Sequence, residues 1–271
     1  MSTNNDQAKA AWLAKVEQYP SLKKFVEAGD GYVSVCQSIA SLYFKSHSRV
    51  SSHDGREQNL LSFIKAHPNF ETMQGNPTLV LQAMDEFAYQ HDFLINIGEH
   101  KGKIVTDLIA KVKPKVLVEL GGYVGYSAIL KLPPLRTSIY IWSLEFDANF
   151  AAIASELIKL AGLSDIVSVV VGSADESLRK LKADSKLSSI DFLFLDHVED
   201  LCEQDFKVAV DELKLLKTGA VIVADNVKVP GAPEYRKYVR SREDLRSEAV
   251  KGLIMPGELE DELEITYVLW A

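Results

Sequence analysis

The chain has 271 residues, 47% of them hydrophobic, enough to bury a full α/β core in one domain with an extension. Its 38 acidic residues outnumber 30 basic ones, for a formal net charge of -8, and no dense basic run occurs. That balance argues against nucleic acid or a membrane surface as partner and favours a small-molecule substrate. With only Cys36 and Cys202, no signal-peptide core and no run of 18 apolar residues, a soluble, cytoplasmic, monomeric protein with reduced thiols is expected.

Residues 1–50 read as two or three short helices, roughly 6–18, 21–28 and 31–45, broken at Pro20 and at the Gly29-Asp30-Gly31 turn. They carry no catalytic spacing and are expected to form a helical extension that packs on a main domain over 51–271, or on a partner. The polar stretch 46–55 reads as a linker. From Arg56 the pattern is regular: Leu60, Leu61, Phe63 and Ile64 share one side of a helix. Asn76-Pro77 supplies an N-cap and a first-turn proline for a second helix, and Ile104, Val105, Leu108, Ile109 and Val112 recur at helical spacing in a third.

The next stretch, Val116 to Ser127 (VLVELGGYVGYS), is a β-branched apolar run ending in Glu119 and broken by Gly121, Gly122 and Gly125 before a helix. It is either a plain strand-to-helix turn or a cradle that brings backbone N–H groups to a ligand. The dinucleotide pattern G-x-G-x-x-G is absent, because the order here is G-G-x-x-G; E-x-G-x-x-x-G is present.

Strand and helix then alternate, the signature of a mostly parallel sheet. Strands are expected over 138–144, 166–171, 190–195 and 220–224, with helices from Asp147 to Gly162 and over 175–182, 206–216 and 233–240. Two further strand-like runs, 246–254 and 263–270, should pair antiparallel across the acidic stretch 258–264, read as a solvated loop. The expected architecture is α/β: a Rossmann-like, seven-stranded, mostly parallel sheet with an antiparallel C-terminal hairpin and helices on both faces.

Ligands of such sheets bind beyond the carboxyl ends of the strands, so the first polar residues after each apolar run are informative. These are Glu119 and Gly121, then Glu145, the stretch 172–175, Asp196-His197 and Asp225-Asn226. Glu145 is placed to accept the two hydroxyls of an adenosine ribose, or it is an ordinary carboxylate ahead of the Asp147 helix cap. Asp196, Asp225 and Asn226 are hard oxygen donors of the kind a divalent cation such as magnesium prefers. The histidines show no zinc spacing, and the G-x-S-x-G nucleophile elbow is absent.

The glycine loop is similar to the S-adenosylmethionine loop of class I methyltransferases. The segments GREQNLL, NIGEHKGKIV, VELGGYVGYSA, LEFDANFAAI, LAGL, FLDH, ADNVKVPGAPEY and DELEITY together resemble the catechol O-methyltransferase family over about four fifths of the chain, 54–270. The resemblance implies methyl transfer from S-adenosylmethionine to one hydroxyl of a catechol or related aromatic diol held by Mg2+. It assigns Asp196, Asp225 and Asn226 to the metal. Glu145 falls to the ribose, with Phe146 beside it; Glu119, Gly121, Tyr123 and Ser127 to the methionine part. Further cofactor contacts are Ile97, Asp196 and His197, with Ala174 and Asp175 around the adenine. Phe93, Val198 and Pro230 match the apolar substrate walls, Asn226 also meets substrate, and Glu264 matches the acceptor for the second hydroxyl.

One position departs from the family. Where the motif carries a catalytic lysine, this chain has Glu199, in Asp196-His197-Val198-Glu199. A carboxylate of ordinary pKa, about 4.3, is a far weaker base than an amine. Three outcomes stand open: Glu199 is the base for a metal-acidified phenol, Lys228 reaches in, or catechol activity is weakened or redirected. A homologue that binds the cofactor without turnover is the competing class.

Overall fold

The computed structural model describes residues 14–23, 54–130 and 139–270. Seven strands form one sheet in the order β3-β2-β1-β4-β5-β7-β6. They are β1 (Val116–Leu120), β2 (Tyr140–Glu145), β3 (Val167–Val171), β4 (Ile190–Leu195), β5 (Leu216–Ala224), β6 (Leu245–Ile254) and β7 (Leu259–Val268). β1 to β5 pair parallel, while β7 lies antiparallel to both β5 and β6, the arrangement the alternation of patterns implies.

The helices are α1 (Arg56–Ala66), α2 (Phe70–Met73), α3 (Pro77–Gln90), α4 (Gly98–Val112), α5 (Tyr126–Leu130), α6 (Ala148–Leu160), α7 (Ala174–Ala183), α8 (Cys202–Lys207) and α9 (Pro233–Arg240). Two starts are fixed by side chains. Asn76 Oδ1 accepts the Leu79 N–H at 3.3 Å, and Asp147 Oδ1 accepts those of Asn149 and Phe150 at 2.7 and 3.2 Å.

Period-two alternation sorts each strand between two faces. Leu117, Phe192, Phe194, Val221, Val223, Leu263 and Ile265 join the core under α1, α3, α4 and α6. Val118, Leu120, Leu193, Leu195, Ile222 and Ala224 join the core under α7, α8 and α9. Both sheet faces are therefore covered, which is why these strands read as near-continuous apolar runs.

Two expectations need correction. The helix expected over 206–216 begins at Cys202, widens into a π turn at Val208–Glu212, and gives way to β5 at Leu216, which pairs with Ile190. The stretch 258–264, expected as a solvated loop, belongs mostly to β7, with Asp261 and Glu264 buried. Of residues 1–50 only 14–23 are described: 14–18 are helical and Pro20–Leu22 form a single 3-10 turn. The rest of the expected extension, Cys36 and most of the linker lie outside the described residues. No helix among the described residues is long and apolar enough to cross a membrane.

Candidate active site

The chain runs from β1 outward to β2 and β3, then returns to the other side of β1 as β4, so the crevice of the sheet opens beyond β1 and β4. Gly121 closes the floor of that crevice. Its φ is +93°, and a Cβ there would stand 2.1 Å from the Asp196 carbonyl oxygen, so the loops leaving β1 and β4 touch only because this residue has no side chain.

Around that contact lie most of the residues expected to hold a cofactor. Glu119 is fully buried and accepts the hydroxyls of Ser143 at 2.5 Å and Ser127 at 2.8 Å, so Glu119 and Ser127 are brought together beneath the loop. Glu145 accepts the Tyr123 N–H on Oε2 at 2.7 Å and the Asp147 N–H on Oε1 at 2.8 Å. Burial pushes its pKa up to about 7 against the pull of those backbone donors. Phe146, next in sequence, is 70% exposed, an unusual state for a ring that size and one that suits a surface waiting to be stacked upon. The Tyr123 hydroxyl donates to Glu57 of α1 at 2.6 Å. Ile97 is buried at the start of α4, and Ala174 and Asp175 form the first turn of α7. His197 Nε2 lies 2.7 Å from the buried Asp205 carboxylate, while its Nδ1 is buried without a partner.

Helix α4, the end of β5 and the start of β7 assemble a second, charged group. Asp225 Oδ1 takes the Lys101 ammonium at 2.5 Å and the Asn226 N–H at 2.7 Å; Oδ2 is buried with no partner. Asp261 Oδ2 takes Lys101 at 2.8 Å and the Asn226 amide at 3.1 Å, and its Oδ1 takes the N–H groups of Val229 and Lys228 at 2.9 and 3.3 Å. Burial disfavours the Lys101 charge, but Asp225 and Asp261 outweigh it and raise the lysine pKa. Asp225 is raised too, by burial first, with Lys101 opposing. Among the described residues no three His, Cys, Asp or Glu side chains are grouped to hold a metal. The expected ligand set therefore offers two carboxylates and an amide, and the unpartnered Oδ2 of Asp225 is the acceptor in it that fits a cation.

Glu199 opens the short turn Glu199–Leu201 after β4 and is 7% exposed. Its Oε2 is buried with no partner. Burial, then Asp225, Asp200 and Asp261, push its pKa up to about 8.

Two other expected residues lie elsewhere. Strand alternation puts Asp261 on the Leu263 and Ile265 face, toward α4, and Glu264 on the opposite face. There Glu264 is clamped by the Arg240 guanidinium at 2.7 Å to each oxygen, with Arg236 at 3.3 Å, and it does not join Asp225 and Asn226. Lys228 is exposed and its ammonium reaches Glu260 at 3.4 Å, not the crevice. Of the apolar walls, Val198 and Pro230 are partly buried after β4 and β5, but Phe93 is fully enclosed among Tyr19, Leu22, Ile254 and Met255. Its ring therefore stands behind the wall and does not form its surface.

Comparison with known proteins supplies the family. The profile of a family described as O-methyltransferase matches residues 72–254. The chain belongs to the O-methyltransferase family. It is 35% identical to catechol O-methyltransferase of Bos taurus over 68% of this chain and 66% of that one, so just under two thirds of the bovine protein is spanned. It is 33% identical to catechol O-methyltransferase B of Danio rerio over 77% of each chain. Among solved structures, the O-methyltransferase TomG of Streptomyces achromogenes, in complex with SAM, shares the fold with a TM-score of 0.59 at 24% identity, covering 71% of this chain and 89% of that one.

In this family member two site residues escaped sequence reasoning, Lys101 and Asp261. Each left a signal. Lys101 precedes Val105 and Ile109 at i+4 and i+8, which puts a lysine on the buried stripe of α4. Asp261 precedes Leu263 and Ile265 at strand spacing, which puts a carboxylate on a buried sheet face. A cation and an anion each written into an apolar stripe imply one another, because neither is tolerated there alone.

Proposed function

We propose that this chain transfers the methyl group of S-adenosylmethionine to one hydroxyl of a catechol or related vicinal aromatic diol, with Mg2+ at Asp196, Asp225 and Asn226, and that 51–271 form the catalytic unit. Family membership and relatives named catechol O-methyltransferase support the reaction class. The observation that carries the reading is the pair of buried, unpartnered carboxylate oxygens, Asp225 Oδ2 and Glu199 Oε2, beyond neighbouring strands of the switch-point crevice. A bound magnesium ion would supply positive charge that acidifies the diol and orients its oxygens.

The protein's own groups do the rest. Glu145 keeps lone pairs for the ribose hydroxyls while its backbone bonds hold the carboxylate in place. Glu199 Oε2 is the atom that receives the phenolic proton; the freed oxygen then forms its bond to the methyl carbon as the carbon–sulfur bond breaks, leaving a neutral thioether. Burial and the neighbouring carboxylates raise this carboxyl to about 8 in the metal-free site, so its ionised form takes up a proton more readily than an ordinary glutamate does. The rate then rests on orientation and electrostatics more than on a strong base.

The test is transfer of labelled methyl from S-adenosylmethionine to catechol, with Mg2+ and with excess chelator. Product that forms with Mg2+ and disappears with chelator supports the reading. Glu199 also favours a second reading, a homologue that binds cofactor without turnover. Calorimetric binding of S-adenosylmethionine with no transfer to any catechol would select it.

A further inference from the structure

Outside the region matched by the family profile, residues 14–22 form a strap that is held down by partners distant in sequence. Leu22 is fully buried and Tyr19 is 5% exposed, packed with Phe93, Ile254 and Met255. Lys15 donates to the Gly257 carbonyl at 2.6 Å, and the Tyr19 hydroxyl donates to Glu258 at 3.3 Å. The Tyr19 ring meets Tyr89 of α3 edge to face at 5.2 Å between centroids. Gly257, at φ +107°, brings the turn between β6 and β7 against the strap: a Cβ there would stand 3.5 Å from Leu22 Cδ1.

That turn links the strap to the site. On its inner side Met255 packs on Gly98 at the head of α4, where a Cβ would come within 3.1 Å of Met255 Cβ, next to Ile97. Four residues past Gly257, β7 delivers Asp261 to Lys101 and Asn226. The same apolar cluster includes Val229, beside Pro230. The strap thus backs the Phe93 side, the Met255 turn and the loop after Asn226 together.

We infer that residues 14–22 are a specificity-determining element: Leu22 and Tyr19 fix the depth of the apolar wall against which the aromatic substrate lies, without touching the reacting atoms. This inference rests on the methyl-transfer reading above. Removing Leu22 side-chain volume lets Phe93 and Met255 relax outward, which enlarges the wall and loosens its hold on a small ring while leaving the cofactor side unchanged.

The experiment compares wild type, Leu22→Ala and the volume-conserving Leu22→Met at a temperature where all three are folded. KM and kcat are measured for S-adenosylmethionine, catechol and tert-butylcatechol. The expected result for Leu22→Ala is a KM for catechol raised about tenfold, the range of one hydrophobic contact. The bulky diol should be less affected than catechol, kcat and the cofactor KM should stay within about twofold, and Leu22→Met should restore the wild-type pattern. Equal loss on both diols, a fall in kcat and cofactor affinity together, or no change at all would overturn the strap's role while leaving the methyl-transfer reading intact. A wild type that transfers methyl to neither diol overturns that reading, and the strap's role with it.

Discussion

Glu199→Gln is the substitution that tests the electrostatics of the crevice most directly. The folded protein holds the Glu199 carboxyl at about 8, against an ordinary value of 4.5, because burial and the neighbouring carboxylates disfavour its charge. Between those two values the folded chain keeps a proton that the unfolded chain has released. Stability contributed by this group is therefore fully present below pH 4.5 and is lost as pH rises through about 8. At about 1.36 kcal/mol per pH unit the loss amounts to roughly 5 kcal/mol once pH exceeds 8. Glutamine mimics the protonated carboxyl in shape and cannot ionise. In chelator, so that no cation pulls the carboxyl pKa down, urea unfolding of wild type and Glu199→Gln should give stabilities within about 1 kcal/mol of each other at pH 5. By pH 8 to 8.5 the variant should be more stable by several kcal/mol; assayed separately with Mg2+, its methyl transfer should fall if Oε2 takes the proton. Parallel stability curves from pH 5 to 8.5, or a variant that loses stability at the alkaline end, would refute the reasoning.

Lys101→Met leaves Asp225 and Asp261 facing each other in a dry site without their cation, and should cost about 3–5 kcal/mol by denaturant unfolding. Adding Asp225→Asn to that variant should recover part of the loss, a double-mutant cycle that isolates the pair. Gly121→Ala forces a methyl onto the Asp196 carbonyl and a side chain into positive φ. Differential scanning calorimetry should show a melting point lowered by many degrees, and titration calorimetry no S-adenosylmethionine binding. Because burial holds Glu145 up at about 7, the affinity for S-adenosylmethionine should strengthen as pH rises through 7 and the carboxylate ionises to accept the ribose hydroxyls. Glu145→Gln should abolish that pH dependence and weaken binding about tenfold at pH 8.

Those residues differ in how plainly the sequence announces them, and the reason is physical. Strands buried on both faces must be apolar throughout, so the point where Leu195 yields to Asp196, or Ala224 to Asp225, marks both the end of a strand and the mouth of the crevice. Local pattern reaches that far because burial and periodicity are local. Choosing between Asp261 and Glu264 is not local: it depends on which face of β7 meets α4, and that is set by pairing with β5, where Ala224 stands opposite Glu264. Both carboxylates lie in one acidic run, both are buried, and each found a cation, Lys101 for one and Arg240 for the other. The strap was illegible for the same reason, since the helical pattern of residues 14–22 carries no mark of a turn more than 230 residues away. Lys101 joins partners 124 and 160 positions distant. A buried charge is compatible with folding only when its counter-charge is delivered by the same fold. Each charged residue in an apolar stripe is thus a local sign of a distant partner: the lysine in the stripe of α4 calls for a buried acid, and the register of β7 makes that acid Asp261.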